Sequence, residues 1–229
     1  MIVVPRTVAA PIEDPFVWHQ DGGLLVVEKP AGLLCQPGLG PALADSLLTR
    51  LRRQWPAAQL VHRLDRDTSG LLLLATEPDL HRAMSRLFAE RRVLKRYRAD
   101  VQGLPPAAEG SIRLPLARRC RQPPLYGPDP AGKPCRSDWR LLSAQDGWSR
   151  LELRPHTGRS HQLRAHLAAI GHPILGDPLY GPPPEAPPPE AAQPQGQNPA
   201  PRLRLHATAL AFPDPRSGEP LQFRSPCPF

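Results

Sequence analysis

Apolar residues come along this chain in short blocks separated by polar turns, and the spacing inside each block predicts its element. Residues 23–29 read as a buried strand, and Pro30-Ala31-Gly32-Leu33-Leu34 as the turn that leaves it. Residues 45–54 have helical spacing, with Leu47, Leu48 and Leu51 on one side. Leu60-Val61 leads into a polar turn, and residues 70–75 are a continuous apolar run of the kind found in strands covered on both faces. Pro78 and Asp79 open a helix whose apolar positions Leu80, Met84, Leu87 and Phe88 recur with helical period.

Residues 93–101 mix β-branched, aromatic and basic side chains, and strand alternation sets Lys95, Tyr97 and Ala99 on one face. Residues 117–134, basic and rich in proline and glycine, predict a long exposed loop. Strand character resumes at 148–154. Residues 157–167 have the build of a glycine turn feeding a helix, with Ser160 as N-cap and Gly171 as stop. Leu163, Leu167 and Ile170 would form its buried stripe and leave Arg164 on another side, while Arg159 and open backbone N–H groups at the helix start suit an anion. Residues 182–201 are almost wholly Pro, Ala, Glu, Gln, Gly and Asn and predict a disordered surface insertion. Residues 202–210 return to strand alternation, and 221–223 add an edge strand. Strands and helices in mixed order, without a regular βαβ repeat or a phosphate-loop glycine pattern, predict an α+β fold: a mixed, largely antiparallel sheet with flanking helices and long loops. A single domain over 1–229 is expected, with 1–17 as a tail and no separate N-terminal domain.

Length and charge narrow the picture. At 229 residues the chain can bury one substantial core. The N-terminus lacks an apolar stretch behind a basic head, and no window approaches the roughly 18 apolar residues of a membrane span, so a soluble, unexported, cytoplasmic protein is expected. Cys35, Cys120, Cys135 and Cys227 are scattered, with no Cys-x-x-Cys pair, and His156, His161, His166 and His172 lack a metal-site spacing. The formal charge of +8 is segregated: residues 81–100 carry a local balance of +5 and residues 112–140 another +5. That segregation describes either a face for a polyanion or a solvated helix surface.

The segment most able to carry chemistry is His62-Arg63-Leu64-Asp65-Arg66-Asp67-Thr68-Ser69-Gly70, a polar turn immediately before the apolar run. Asp65 sits between Arg63 and Arg66, which favour its charged form and suit it to act as nucleophile or base rather than proton donor. The same residue types also form ordinary turns through bonds to nearby backbone, and Asp67 fits an Asx-turn acceptor.

These blocks, together with Lys95-Arg96-Tyr97, residues 157–166 and Gly171-His172-Pro173-Ile174-Leu175-Gly176-Asp177, resemble in order and spacing the RluA-type pseudouridine synthases. The resemblance runs from about residue 23 to 223 and takes in Lys29-Pro30-Ala31-Gly32-Leu33-Leu34 and Arg202-Leu203-Arg204-Leu205-His206-Ala207. It implies isomerisation of uridine in RNA, in which the base is cut from its sugar, turned and rejoined through a ring carbon, with no metal, nucleotide or redox cofactor. It assigns Asp65 as the catalytic aspartate, Tyr97 as the ring that stacks on the target base, and Arg164 as the arginine pairing with the catalytic carboxylate. Arg63 matches an arginine that enters the RNA stack as the target nucleotide leaves it. Arg91, Arg92, Lys95, Arg96, Arg159 and His161 are then the expected RNA contacts, and the partner is a ribosomal or transfer RNA stem-loop, bound by a monomer without an obligatory protein partner. Two other readings stay open from the residues alone. One is a non-catalytic RNA-binding or ribosome-assembly protein, for which the basic segments would suffice; the other is a metal nuclease using Asp65 and Asp67.

Overall fold

A computed structural model of the chain describes residues 17–181 and 202–229. The predicted insertion at 182–201 and nearly all of the predicted tail lie outside the described residues. In chain order the elements are β1 (Val17–Asp21), β2 (Leu24–Lys29), α1 (Leu47–Leu51), β3 (Gln59–Leu60), β4 (Ser69–Ala75), α2 (Pro78–Ala89), β5 (Leu94–Gln102) and β6 (Glu109–Ile112). Then follow β7 (Leu116–Cys120), β8 (Leu125–Pro128), β9 (Ser137–Gln145), β10 (Trp148–Pro155), α3 (Gln162–Ala169), β11 (Leu205–Pro213) and β12 (Pro220–Arg224). The fold is mixed α+β with mostly antiparallel pairing, as the element pattern predicts.

The chain divides into two compact units, one holding the described residues up to Arg96 together with His206–Pro228, the other Tyr97–Leu205 with Phe229. In the first, the strand order is β1-β2-β4-β11, with β3 on β4 and β12 on β11; only the β4–β11 pair is parallel. β4 explains the continuous apolar run: every one of its residues is buried. Its Leu71, Leu73 and Ala75 join Leu24 and Val26 of β2, Leu80, Met84 and Leu87 of α2, and Leu210, Phe212 and Phe223 in one core. Each such side chain removed from water contributes about 1.5–3 kcal/mol. α1 is shorter than the spacing predicts, spanning Leu47–Leu51 behind the Ser46 N-cap, whose hydroxyl accepts from Thr49 N at 3.1 Å. Its three leucines are nevertheless the buried ones.

In the second unit β5, β10, β9 and β6 form an antiparallel sheet in that order. α3 lies against β8, β9 and β10. The predicted exposed loop over 117–134 is instead largely a hairpin, β7 paired with β8. Arginine, proline and glycine hide these strands, whose side chains are mostly only partly buried and show no clear apolar alternation, because pairing here comes from the backbone. Two bonds between Leu116 and Lys133, at 3.1 and 2.9 Å, brace the base of the hairpin. The Tyr126 N–H donates to the Tyr180 hydroxyl at 2.9 Å. On β5, the fully buried Asp100 accepts from Arg150 at 2.7 and 3.0 Å and from Arg204 at 3.1 Å, so its charge is paired rather than stranded.

Candidate active site

Asp65 lies in the connection between β3 and β4, half-buried, with Leu64 buried before it and Arg63 and Arg66 exposed on either side. The Thr68 N–H donates to the Asp65 carbonyl at 3.2 Å and closes the turn. What holds this turn is a pair of side chains from the preceding loop. Cys35 brackets Leu64: its thiol donates to the Leu64 carbonyl at 3.1 Å and its sulfur accepts the Leu64 N–H at 3.3 Å. Burial pushes the Cys35 thiol up, which keeps it a neutral donor. Lys29, at the buried end of β2, donates to the carbonyls of Pro30, Leu33 and Arg66 at 2.8, 2.7 and 2.7 Å. The backbone is therefore tethered on both sides of Asp65, at Leu64 before it and at the Arg66 carbonyl after it. Burial pulls the Lys29 ammonium down to about 8, against the opposing pull of Cys35, Asp67 and Asp65. Arg66 turns its Nε to the Gly32 carbonyl at 3.0 Å, so one of the two flanking arginines serves the loop.

His62 opens the motif. Its ring stacks on Phe88 of α2, centroids 4.7 Å apart, and its Nε2 accepts the Leu73 N–H at 3.0 Å, taking the place of a ladder carbonyl. Burial, with Lys95 adding to it, pushes the imidazole down to about 3, so the ring is neutral and its proton sits on Nδ1. Lys95 on β5 is half-buried, and burial pulls its ammonium down too. The first unit thus brings His62, Lys95 and the end of α2 together beside the aspartate turn. Arg92 and Arg96 are exposed, Arg92 lying 3.5 Å from Glu90. Arg91 adopts a left-handed backbone, φ 59°.

Tyr97, Arg164, Arg159 and His161 belong to the second unit. Tyr97 is buried on β5 opposite Leu153, on the face that alternation predicts together with Lys95 and Ala99. Arg164 does not project from the outer side of its helix. It is 2 % exposed, and its Nε and Nη2 donate to the two oxygens of Asp177 at 2.7 Å each. Its guanidinium also lies over the Tyr180 ring, 5.1 Å from the centroid. The first turns of α3 are buried all round, which a stripe of three apolar residues does not foretell. Asp177 is itself fixed by the N–H groups of Leu179 and Tyr180 at 2.9 and 3.1 Å.

Ser160 is not the N-cap of α3. That position is His161, left-handed at φ 54° and without a side-chain cap bond; its Nδ1 lies 3.0 Å from the Tyr180 hydroxyl. The helix start is organised by Gln162, whose Oε1 accepts the Arg159 N–H at 3.1 Å and the Thr157 hydroxyl at 2.7 Å. Its Nε2 donates to the Arg136 carbonyl and the Ser137 hydroxyl, both at 2.9 Å. The Arg159 N–H is therefore occupied and the Gln162 N–H bonds the Arg159 carbonyl at 3.1 Å, while the Arg159 side chain is exposed. The other clustered histidines serve separate places: His156 on Asp138, His166 on Ser137 and Leu114, His172 on the Gln102 carbonyl.

The structural part of Lys29, Cys35 and His62 escapes a reading for reactive residues because their side chains bond backbone groups of other segments. One signal was present for Lys29, an ionisable residue closing an apolar strand. In the sequence Asp177 appears only as the end of the Gly171–Asp177 block, since nothing local marks it as the partner of Arg164.

The family model described as RNA pseudouridylate synthase matches residues 23–169. The dual-specificity RNA pseudouridine synthase RluA of Salmonella typhi is 40 % identical over 226 residues, covering 96 % of this chain and 97 % of that protein. RluA of Escherichia coli strain K12 shows the same identity and coverage. Among solved structures, human RNA pseudouridylate synthase domain containing 1 superposes with a TM-score of 0.74 at 29 % identity, covering 96 % of this chain and 86 % of that one. The chain belongs to the RNA pseudouridylate synthase family, as an RluA-type member and an isomerase.

Proposed function

We propose that this protein isomerises uridine to pseudouridine at a defined position in structured RNA, with Asp65 as the reacting carboxylate and no cofactor. The observation that carries the reading is the tethering of the backbone on both sides of Asp65, through Cys35 at Leu64 and Lys29 at the Arg66 carbonyl, while the aspartate itself stays only half-buried. A turn held so firmly presents its side chain in one orientation, which a reaction needs and simple phosphate binding does not. In this reading Asp65 acts on the target nucleotide as nucleophile or base. Tyr97 stacks on the uracil. Arg164 pairs with the aspartate and holds it ionised. Arg63, exposed beside Asp65, fills the gap left by the departing nucleotide, and Arg91, Arg92, Lys95, Arg96, Arg159 and His161 grip the surrounding RNA. The two compact units serve as one catalytic domain, acting as a monomer in the cytoplasm. The relatives are named dual-specificity RNA pseudouridine synthases, which supports more than one RNA as substrate, and the family resemblance points to ribosomal and transfer RNA stem-loops.

The test uses purified protein and transcripts labelled in uridine, with a chelator present. Pseudouridine forms with the wild type, and Asp65→Asn abolishes it while RNA affinity stays within about threefold. Undiminished turnover by Asp65→Asn would overturn the assignment, and strand scission that depends on magnesium would point to a nuclease instead.

A further inference from the structure

A buried chain of polar groups runs through the first unit beside the aspartate turn. The Ser69 hydroxyl lies 2.8 Å from Nδ1 of His206. Nε2 of His206 lies 2.8 Å from the Ser225 hydroxyl. Ser225 donates to Oε2 of Glu28 at 2.7 Å, and the same oxygen accepts the Trp18 Nε1–H at 2.8 Å. His206 is completely buried, and Ser69 and Ser225 are 3 % and 5 % exposed. Four sequence regions meet in this chain: β2, the start of β4, the start of β11 and the segment after β12.

Its polarity follows from chemistry. A carboxylate only accepts, so the single proton of the Ser225 hydroxyl goes to Glu28, a shorter contact than the 3.4 Å one to the Pro226 carbonyl. Ser225 must then accept from His206, which places the ring proton on Nε2. In the neutral ring Nδ1 is an acceptor, and Ser69 donates to it. The carboxylate at one end thereby fixes a tautomer and a hydroxyl direction at the other, about three bonds away in the hydrogen-bond chain.

The backbone is shaped to allow the contact. Ser69 and Gly70 pair in parallel with His206 and Ala207. Gly70 has φ +110°, and a Cβ there would lie 2.4 Å from the Ala207 carbonyl oxygen, so only glycine admits this approach. Ser69 directly follows Thr68, whose N–H closes the Asp65 turn.

We propose that Glu28, Ser225 and His206 form a positioning relay that, through Ser69, anchors the downstream end of the aspartate turn for the isomerisation. This rests on the reading of Asp65 as the reacting carboxylate. Lys29 and Cys35 hold the turn from one side, and the relay holds the strand into which it runs. None of the relay residues touches the substrate; their effect passes through the backbone.

Two measurements test it on the full-length protein. In the first, nitrogen-15 spectra of the histidine rings report the tautomer of His206. The Nε2–H form is expected, and an Nδ1–H form overturns the relay whatever the enzyme's activity. In the second, Ser225→Ala removes the central link. The kcat for pseudouridine formation is expected to fall about tenfold with KM and RNA affinity within twofold, and Ser225→Thr to restore most of it. Adding His206→Asn to Ser225→Ala should cost little more, because both cut one chain. Should Ser225→Ala lose only thermal stability and keep wild-type kcat at a temperature where it is folded, the relay is structural and the proposal falls. If Ser225→Ala fails to fold, the tautomer of the wild type still decides. A wild type that forms no pseudouridine defeats the reading of Asp65, and the spectra then still confirm or overturn the chain's polarity.

Discussion

At the scale of single residues, Lys29 shows how a charge in the core holds the backbone beside a neighbouring carboxylate. Its ammonium has three N–H donors and meets three carbonyls, a complete match that a neutral amine with two donors cannot make. Burial brings its pKa down to about 8, with Cys35, Asp67 and Asp65 opposing and Arg66 reinforcing the shift. As pH rises through 8 one carbonyl loses its donor and the loop beneath Asp65 loosens, so the kcat of the wild type should fall along an alkaline limb centred near pH 8. Lys29→Met should show a kcat lower by about tenfold or more and lose the limb centred near pH 8, since the ammonium that titrates beneath Asp65 is gone. Level wild-type activity up to pH 9 would remove Lys29 from this role. The sequence made Asp65 legible because a carboxylate between two arginines in a turn is a local pattern. It left Lys29 and Cys35 unread because their effect depends on carbonyls and N–H groups up to 37 residues away.

Among the elements, α2 and β4 were legible nearly to the residue, since a helical stripe and an unbroken apolar run each have one economical explanation. The β7–β8 hairpin and the strands β6 and β9 were not: their side chains alternate weakly or stay exposed, and what makes them strands is a partner's backbone. The end of α2 carries a further lesson. Arg91 N–H bonds to the Phe88 carbonyl at 3.1 Å and Arg92 N–H to the Leu87 carbonyl at 2.9 Å, the two bonds of a Schellman motif. The left-handed position in that motif normally belongs to glycine, and here an arginine holds it at φ 59°. Backbone strain kept at a cationic residue fits a residue retained for its charge. Arg91→Gly should therefore raise stability by about 1 kcal/mol in urea unfolding and weaken RNA binding at the same time. A loss of stability, or unchanged affinity for RNA, would separate the strain from the function.

For the whole molecule the relevant quantity is charge and where it lies. A formal +8 concentrated in residues 81–100 and 112–140 gives affinity for phosphate independent of sequence, and each phosphate neutralised releases counterions. Arg92 near the end of α2 and Arg121 in the β7–β8 turn are exposed arginines, one from each segment. If both segments grip the RNA, the logarithm of the association constant should fall steeply with the logarithm of salt. Arg92→Ala and Arg121→Ala should each flatten that slope by about 0.7 for one lost contact to a single strand. Asp65→Asn touches no phosphate in this scheme, so its slope should match the wild type while its turnover vanishes. Equilibrium binding from about 50 to 200 mM salt, run beside turnover at saturating RNA, separates holding the RNA from reacting with it. A slope unmoved by Arg121→Ala would restrict the RNA to the first segment and leave the charge of the hairpin without a ligand. A slope altered by Asp65→Asn would mean that the carboxylate shapes binding itself, and the division between a basic grip and an acidic reacting group would fail.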